Sequence, residues 1–310
     1  MRLFYTDHFV LPLPDGHRFP MEKYYRLREH LKRTDWAQRC QFQVPGAATN
    51  EQLQLAHSEE YIDKVISGTL EPIDVRRIGF PWSEGMVERS RRSVGATIDA
   101  ARAALSEGIA VNLAGGTHHA QHDAGQGYCV FNDTAVAARV LQKEKAIQRA
   151  LVVDCDVHQG NGTAAIFAQD HSVFTFSMHA ATNYPFRKHA ADLDLPLPDG
   201  TGDVEYLDQL DTALTRALKS ANADIVFYIS GADPFEGDRL GKLKLTKQGL
   251  LARDRLVLTR CLDWSLPVAI SMGGGYAPHV DDVVEIHANT VATAFQLYEQ
   301  GRELQRAERR

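Results

Sequence analysis

Short apolar runs alternate along this chain with longer stretches of helical periodicity. The runs are residues 2–5, 109–113, 150–153, 172–177, 224–230 and 267–272. They are rich in Val, Ile, Leu and Phe and too continuously apolar to alternate in and out, as expected of strands covered on both faces. Between them, residues 22–32, 84–106, 133–145, 204–220, 247–262 and 281–300 carry a helical pattern. Helix starts are marked where Asp133 follows Asn132, where Asp203 follows Gly202 and where Thr246 precedes Lys247. This alternation predicts an α/β fold, a mostly parallel central sheet with helices on both faces. No repeat, low-complexity segment or sharp compositional break divides the chain, so residues 1–310 read as a single domain. Residues 301–310, charged on both signs, read as a frayed, solvated helix end. The longest irregular stretch, residues 178–203, holds Pro185, Pro196, Pro198, Gly200 and Gly202. A loop of that length in a compact fold is usually functional.

The 310 residues are 44% hydrophobic and 24% charged, which excludes a disordered or collagen-like chain. Net charge is −6 and no long basic run occurs, which argues against a nucleic-acid partner. A mild acidic balance would instead tolerate or attract a cationic substrate. The four cysteines, at 40, 129, 155 and 261, form no CxxC pair, which fits a reducing compartment. The first twenty residues carry Arg2, Asp7, His8, Asp15 and Arg18 with no apolar stretch, so no secretory signal is visible. No window approaches the ~18 uncharged apolar residues of a membrane span. The expectation is a cytoplasmic protein.

Unusual polar residues collect just after the predicted strands, where open parallel sheets place their ligand sites. Asp154, Asp156 and His158 alternate, so in an extended chain they point the same way and can converge on one metal. Two carboxylates and an imidazole suit Zn²⁺ or another divalent transition metal. The motif alone reads equally well as an acidic turn capping the next helix. Asp233 leaves the run at 224–230 and offers a third ligand, or a turn former ahead of Pro234. Three protein ligands with an open position would mark a catalytic site. His118 and His119 follow Gly115-Gly116, and a glycine turn lets both rings face one cavity, one as base and acid, the other charged or orienting. His122, His171, His189 and His287 lack such a setting and read as surface residues. Gly273-Gly274-Gly275 can aim Tyr276 into a cavity, where a phenol donates to a developing oxyanion. The alternative is a flexible turn with Tyr276 packed on its surface.

The ordered set GGTHHA, GYCVFND, DCDVHQGNG, SGADPFEGD and GGGY resembles the histone deacetylase family of the arginase–deacetylase fold. The HQGNG variant and the segment from Glu236 to Gly241 are most like the class IV deacetylases and their bacterial relatives. The resemblance implies a zinc-dependent amidohydrolase that removes acetyl or longer acyl groups from lysine side chains. It implies one Zn²⁺ held by Asp156, His158 and Asp233, with His119 as general base and acid beside His118, and Tyr276 on the oxyanion. Asp154 stands behind His118. Asn161 stands where many class I deacetylases have an aspartate, which makes His119 less basic. Gly127, Tyr128, Tyr184, Leu240, Gly274 and Gly275 match the acyl-lysine tunnel. Asp154, Asp156, His158, Ser177 and Met178 match a structural K⁺ site. Leu240 occupies the position where polyamine-selective relatives carry a glutamate. An acetylpolyamine amidohydrolase, acting on a small acylated amine, is the alternative enzyme. A silent acyl-lysine binding module would lack Tyr276, a tandem histidine or a ligand. A di-manganese ureohydrolase would need aspartates where Gln159 and Asn161 stand.

Overall fold

Six of the apolar runs become strands of one sheet, and two further strands extend its edges. The computed structural model describes residues 1–308. The strands are β1 (Arg2–Phe4), β2 (Gln41–Gln43), β3 (Ile109–Asn112), β4 (Ala150–Asp154), β5 (Val173–Ala180), β6 (Leu193–Leu197), β7 (Ile225–Gly231) and β8 (Val268–Gly273). Their spatial order is β2-β1-β3-β8-β7-β4-β5-β6, and every neighbouring pair is parallel. The helices are α1 (Glu22–Lys32), α2 (Asn50–Leu53), α3 (Glu59–Ser67), α4 (Pro72–Ile78), α5 (Glu84–Glu107), α6 (Asp133–Lys143), α7 (Asn161–Phe167), α8 (Asp203–Ala221), α9 (Lys247–Asp263) and α10 (Val280–Glu308).

Successive side chains of a strand point to opposite faces, so each central strand feeds two cores. Leu151 and Val153 of β4, with Val226 and Tyr228 of β7, pack with residues of α8, α9 and α10. Ala150 and Val152, with Ile225, Phe227 and Ile229, pack on the other side with residues of α5 and α6. This explains why the runs carry no polar alternation.

The expected helix starts hold for two side-chain caps. Asn132 accepts from Ala135 N, and Thr246 accepts from Gly249 N. Gly202 caps α8 without a side-chain bond. The irregular stretch at 178–203 is corrected in part: β5 runs to Ala180, and β6 lies inside the stretch. β6 is an edge strand, and an edge tolerates its Pro196 because a missing amide leaves no ladder bond broken. The stretch from Gly301 onward continues α10 to Glu308, while Arg309 and Arg310 lie outside the described residues.

Helix α5 approaches the chain ahead of α2 closely. Ala48 N donates to Arg91 O at 3.0 Å, and a Cβ on Gly95 would lie 1.9 Å from Gly46 O. Gly95→Ala should therefore destabilise the protein by about 1–3 kcal/mol through overpacking. That is the reverse of the gain that helix propensity alone would give. Thermal unfolding followed by circular dichroism checks this, and an unchanged or higher Tm counts against the close approach.

Candidate active site

Strands β3, β8, β7 and β4 are consecutive neighbours at the centre of the sheet. The segments that carry the chemistry leave their carboxyl ends together. β4 leads to Asp156 and His158, β7 to Asp233, β3 to His118 and His119, and β8 to Tyr276.

Asp156, His158 and Asp233 are buried, and one ligand atom from each lies within 4.8 Å of the others. His158 Nδ1 is 2.9 Å from Asp156 Oδ1 and 3.2 Å from Asp233 Oδ2. His158 N donates to Asp156 Oδ1 and Val157 N donates to Asp233 Oδ1, both at 2.9 Å. The second oxygen of Asp233 is buried without a hydrogen-bond partner. Burial disfavours charge on His158, yet the two carboxylates outweigh it and hold the imidazole up at about 10. Burial, followed by the charge of Asp156, pushes Asp233 up to about 7. The pit holds more negative charge than its own groups neutralise, and a divalent cation can take the place of the proton on His158. The donor set and the orphaned oxygen fit such an ion.

The rings of His118 and His119 lie 4.1 Å apart. His118 Nδ1 meets Asp154 Oδ2 at 2.6 Å, and His119 Nδ1 donates to Asn161 Oδ1 at 2.7 Å. Burial works against charge on both. At His118 the carboxylates of Asp154 and Asp156 overcome it and raise the imidazole to about 9. At His119, burial is reinforced by the positive charges of His118 and His158, and its pKa falls well below the ordinary value. One ring is thus cationic and the other neutral near pH 7. With Nδ1 engaged by the amide oxygen, Nε2 of His119 keeps its lone pair.

Three residues that sequence reasoning passed over hold this arrangement. Asp133, read as a helix start, accepts from Gly116 N, Thr117 N and Thr117 Oγ1 and so fixes the turn into the histidines. Asp238 accepts from Tyr276 N at 2.6 Å while its other oxygen accepts from Leu240 N and Gly241 N. The local Asp-x-Leu-Gly turn was visible in the sequence, whereas the bond to Tyr276 exists only after folding. Lys23 of α1 is buried, donates to Gly274 O, and lies 5.3 Å from the centre of the Tyr276 ring. Nothing in the pattern of α1 distinguishes it from an exposed lysine.

Tyr276 is partly buried, and burial with the charges of Asp233 and Asp156 keeps its phenol protonated. Gly274 has φ +52°, and a Cβ there would lie 2.0 Å from Asp233 Oδ2. A cavity of about 500 Å³ is lined by Gly127, Tyr128, Tyr184 and Leu240 and reaches His119, His158 and Tyr276. A smaller cavity of about 40 Å³ touches His118, Asp156 and Gly274. Tyr184 stands edge-on to His119 at 5.0 Å and donates its hydroxyl to Gln126 Oε1. Gly275 stands between Gly274 and Tyr276, which line these cavities, and a Cβ on it would meet Val283. Asp154 and Ser177 face each other in register across β4 and β5, with Met178 buried next to Ser177. His122 and His171 are exposed and His189 is partly so. His287, expected at the surface, is buried on α10, which packs against α1 and α9, and neither of its nitrogens has a partner among the described residues.

A family model described as the histone deacetylase domain matches residues 17–292. An uncharacterized protein of Picosynechococcus sp. is 46% identical over 95% of this chain and 98% of its own length. Histone deacetylase 2 of Arabidopsis thaliana is 31% identical over 84% of this chain and 70% of its own. The acetoin utilization protein AcuC of Staphylococcus aureus is 27% identical over 84% and 72%. The crystal structure of the HDA15 HD domain superposes with a TM-score of 0.79 over 96% of this chain and 90% of that one, at 20% identity, and shows the same fold.

A cation that binds here must displace the proton of His158. Affinity for zinc should rise with pH between about 6 and 8, by roughly tenfold per unit for each proton released. Calorimetric titration of the metal-free chain in buffers of different ionisation enthalpy reads that proton. Asp233→Ala should abolish the binding while the far-ultraviolet spectrum is kept. Binding of one ion without proton release, or two ions per chain, would contradict this three-ligand pit.

Proposed function

This chain belongs to the histone deacetylase family, and on that premise we propose that it is a zinc-dependent amidohydrolase acting on acylated lysine side chains. The observation that carries the reading is geometric: two adjacent imidazoles, His118 bonded through Nδ1 to a carboxylate and His119 through Nδ1 to an amide oxygen, stand beside a buried three-ligand pit. When bound by Asp156, His158 and Asp233, zinc supplies a lowered pKa for water and Lewis acidity toward the scissile carbonyl.

His119 performs the proton work. Its Nε2 accepts the proton of the attacking water and returns it to the departing amine. Asn161 orients the ring through Nδ1 without adding a full negative charge, so His119 is less basic than it would be beside an aspartate. His118, paired with Asp154, contributes fixed positive charge where negative charge develops. The phenol of Tyr276, held neutral, donates to the oxyanion, and Asp238 fixes its backbone. Gly127, Tyr128 and Tyr184 give the alkyl stem of the substrate an apolar wall. A glycine is required at 127, because a Cβ would lie 2.7 Å from the His119 ring.

Leu240 lines the mouth and offers no charge to a distant ammonium, which favours an acyl-lysine over an acetylpolyamine. The acyl group is acetyl or longer. The register of Asp154 with Ser177 supports a structural K⁺ held by Asp154, Asp156, His158, Ser177 and Met178. The four free cysteines support a cytoplasmic, reducing setting.

Turnover of acetyl-, octanoyl- and myristoyl-lysine peptides against acetylspermidine tests the substrate class. The peptides should show the larger kcat/KM, and a larger value for the polyamine would overturn the assignment. Tyr276→Phe should keep the metal and slow turnover about 10²–10³-fold, the usual cost of one oxyanion donor. Wild-type turnover in Tyr276→Phe together with loss in His119→Ala would show that the phenol is structural.

A further inference from the structure

The charge of the mouth is opposite in sign to the charge of the chain. Net charge is −6, yet Arg18, Arg76, Arg77 and Lys242 line the 500 Å³ cavity and, among the described residues, no aspartate or glutamate does. These cations come from three separate parts of the chain: the segment ahead of α1, helix α4, and the loop between β7 and α9. All four are exposed. Two have an acidic neighbour, Asp74 at 3.3 Å from Arg77 and Asp199 at 3.6 Å from Lys242. Arg18 and Arg76 have no ion-pair partner among the described residues, so the rim keeps a net positive charge.

An acylated lysine is itself neutral, so these cations have no counterpart in the part of the substrate that enters the cavity. Whatever they recognise stays outside, beside the acylated residue. Phe186, 91% exposed on the same rim, offers that flanking segment an apolar contact. Lysines and arginines next to the acyl-lysine would meet like charge, as would the free ammonium groups of a polyamine. Resting on the deacylase reading, we propose that the preferred substrate is an acyl-lysine within an acidic protein segment, with aspartate or glutamate on its flanks meeting Arg18, Arg76, Arg77 and Lys242.

Three peptides of equal length, with acetyl-lysine flanked by Glu, Gln or Lys, test this on the zinc-loaded protein. Exposed ion pairs are each modest, so a few of them together predict about a fivefold preference in kcat/KM for Glu over Gln and a similar penalty for Lys. The preference should sit in KM and vanish near 1 M salt, where screening acts within about 3 Å. The double variant Arg18→Gln/Arg76→Gln should collapse the Glu-to-Lys ratio. Arg216→Gln on α8 alters net charge away from the mouth and should leave that ratio intact. Equal rates for the three peptides, a preference for Lys, or an equal loss of the ratio in Arg216→Gln would overturn the proposal. Fluorescence anisotropy of the same labelled peptides gives the binding order independently. If no peptide is hydrolysed, the deacylase reading fails while the binding order still decides the charge preference.

Discussion

Two carboxylates and one imidazole are packed together where water cannot solvate them, and much of the centre of this molecule answers to that fact. Backbone amides of Val157 and His158 each satisfy one oxygen. The remaining oxygen of Asp233 accepts no hydrogen bond and faces only the imidazole of His158 at 3.2 Å. Such a pit is costly unless a cation enters it. Its geometry dictates a glycine at 274, because a side chain there would displace Asp233. Its charge also sets the neighbouring histidines apart: Asp154 and Asp156 keep His118 charged, and that charge with His158 helps keep His119 neutral.

The ligand loops rest on a second buried charge. Arg253 of α9 donates to Gly231 O at 2.6 Å and to Cys155 O at 3.3 Å. Those carbonyls belong to the two chain segments that deliver Asp233 and Asp156. Asp254 pairs with the guanidinium at 2.8 Å and accepts from Tyr228 and Thr290. A fully hydrogen-bonded buried network of this kind fixes one geometry, since each member left unpaired would cost its full desolvation. The spacing between the exits of β4 and β7 is thereby set from beneath, on the α9 side of the sheet.

The electrostatics of the chain separate by place. Buried anions define the floor of the site, exposed cations its rim, and the acidic excess is spread elsewhere. The net acidic balance suggests a cationic partner, but a ligand at the mouth meets the local field rather than the total. Only the convergence of the segment ahead of α1, helix α4 and the loop before α9 creates that field.

Local signals in the sequence determined the strands β3, β4, β7 and β8, their burial on both faces, and the placement of Asp156, His158, Asp233, the tandem histidines and Tyr276 at one sheet edge. Apolar continuity and residue order are properties of neighbouring positions, and a parallel sheet turns them into geometry. The polar β2 and the proline-bearing β6 escaped because edge strands need little apolar continuity. The tertiary structure alone decided the strand order, the burial of His287 and Lys23, the reach of Asp133 and Asp238 to distant backbone amides, and the burial and charges that set the two tandem imidazoles apart. Each of these depends on burial and on charges far apart in the chain, and a pKa answers to that three-dimensional surrounding rather than to the residues on either side.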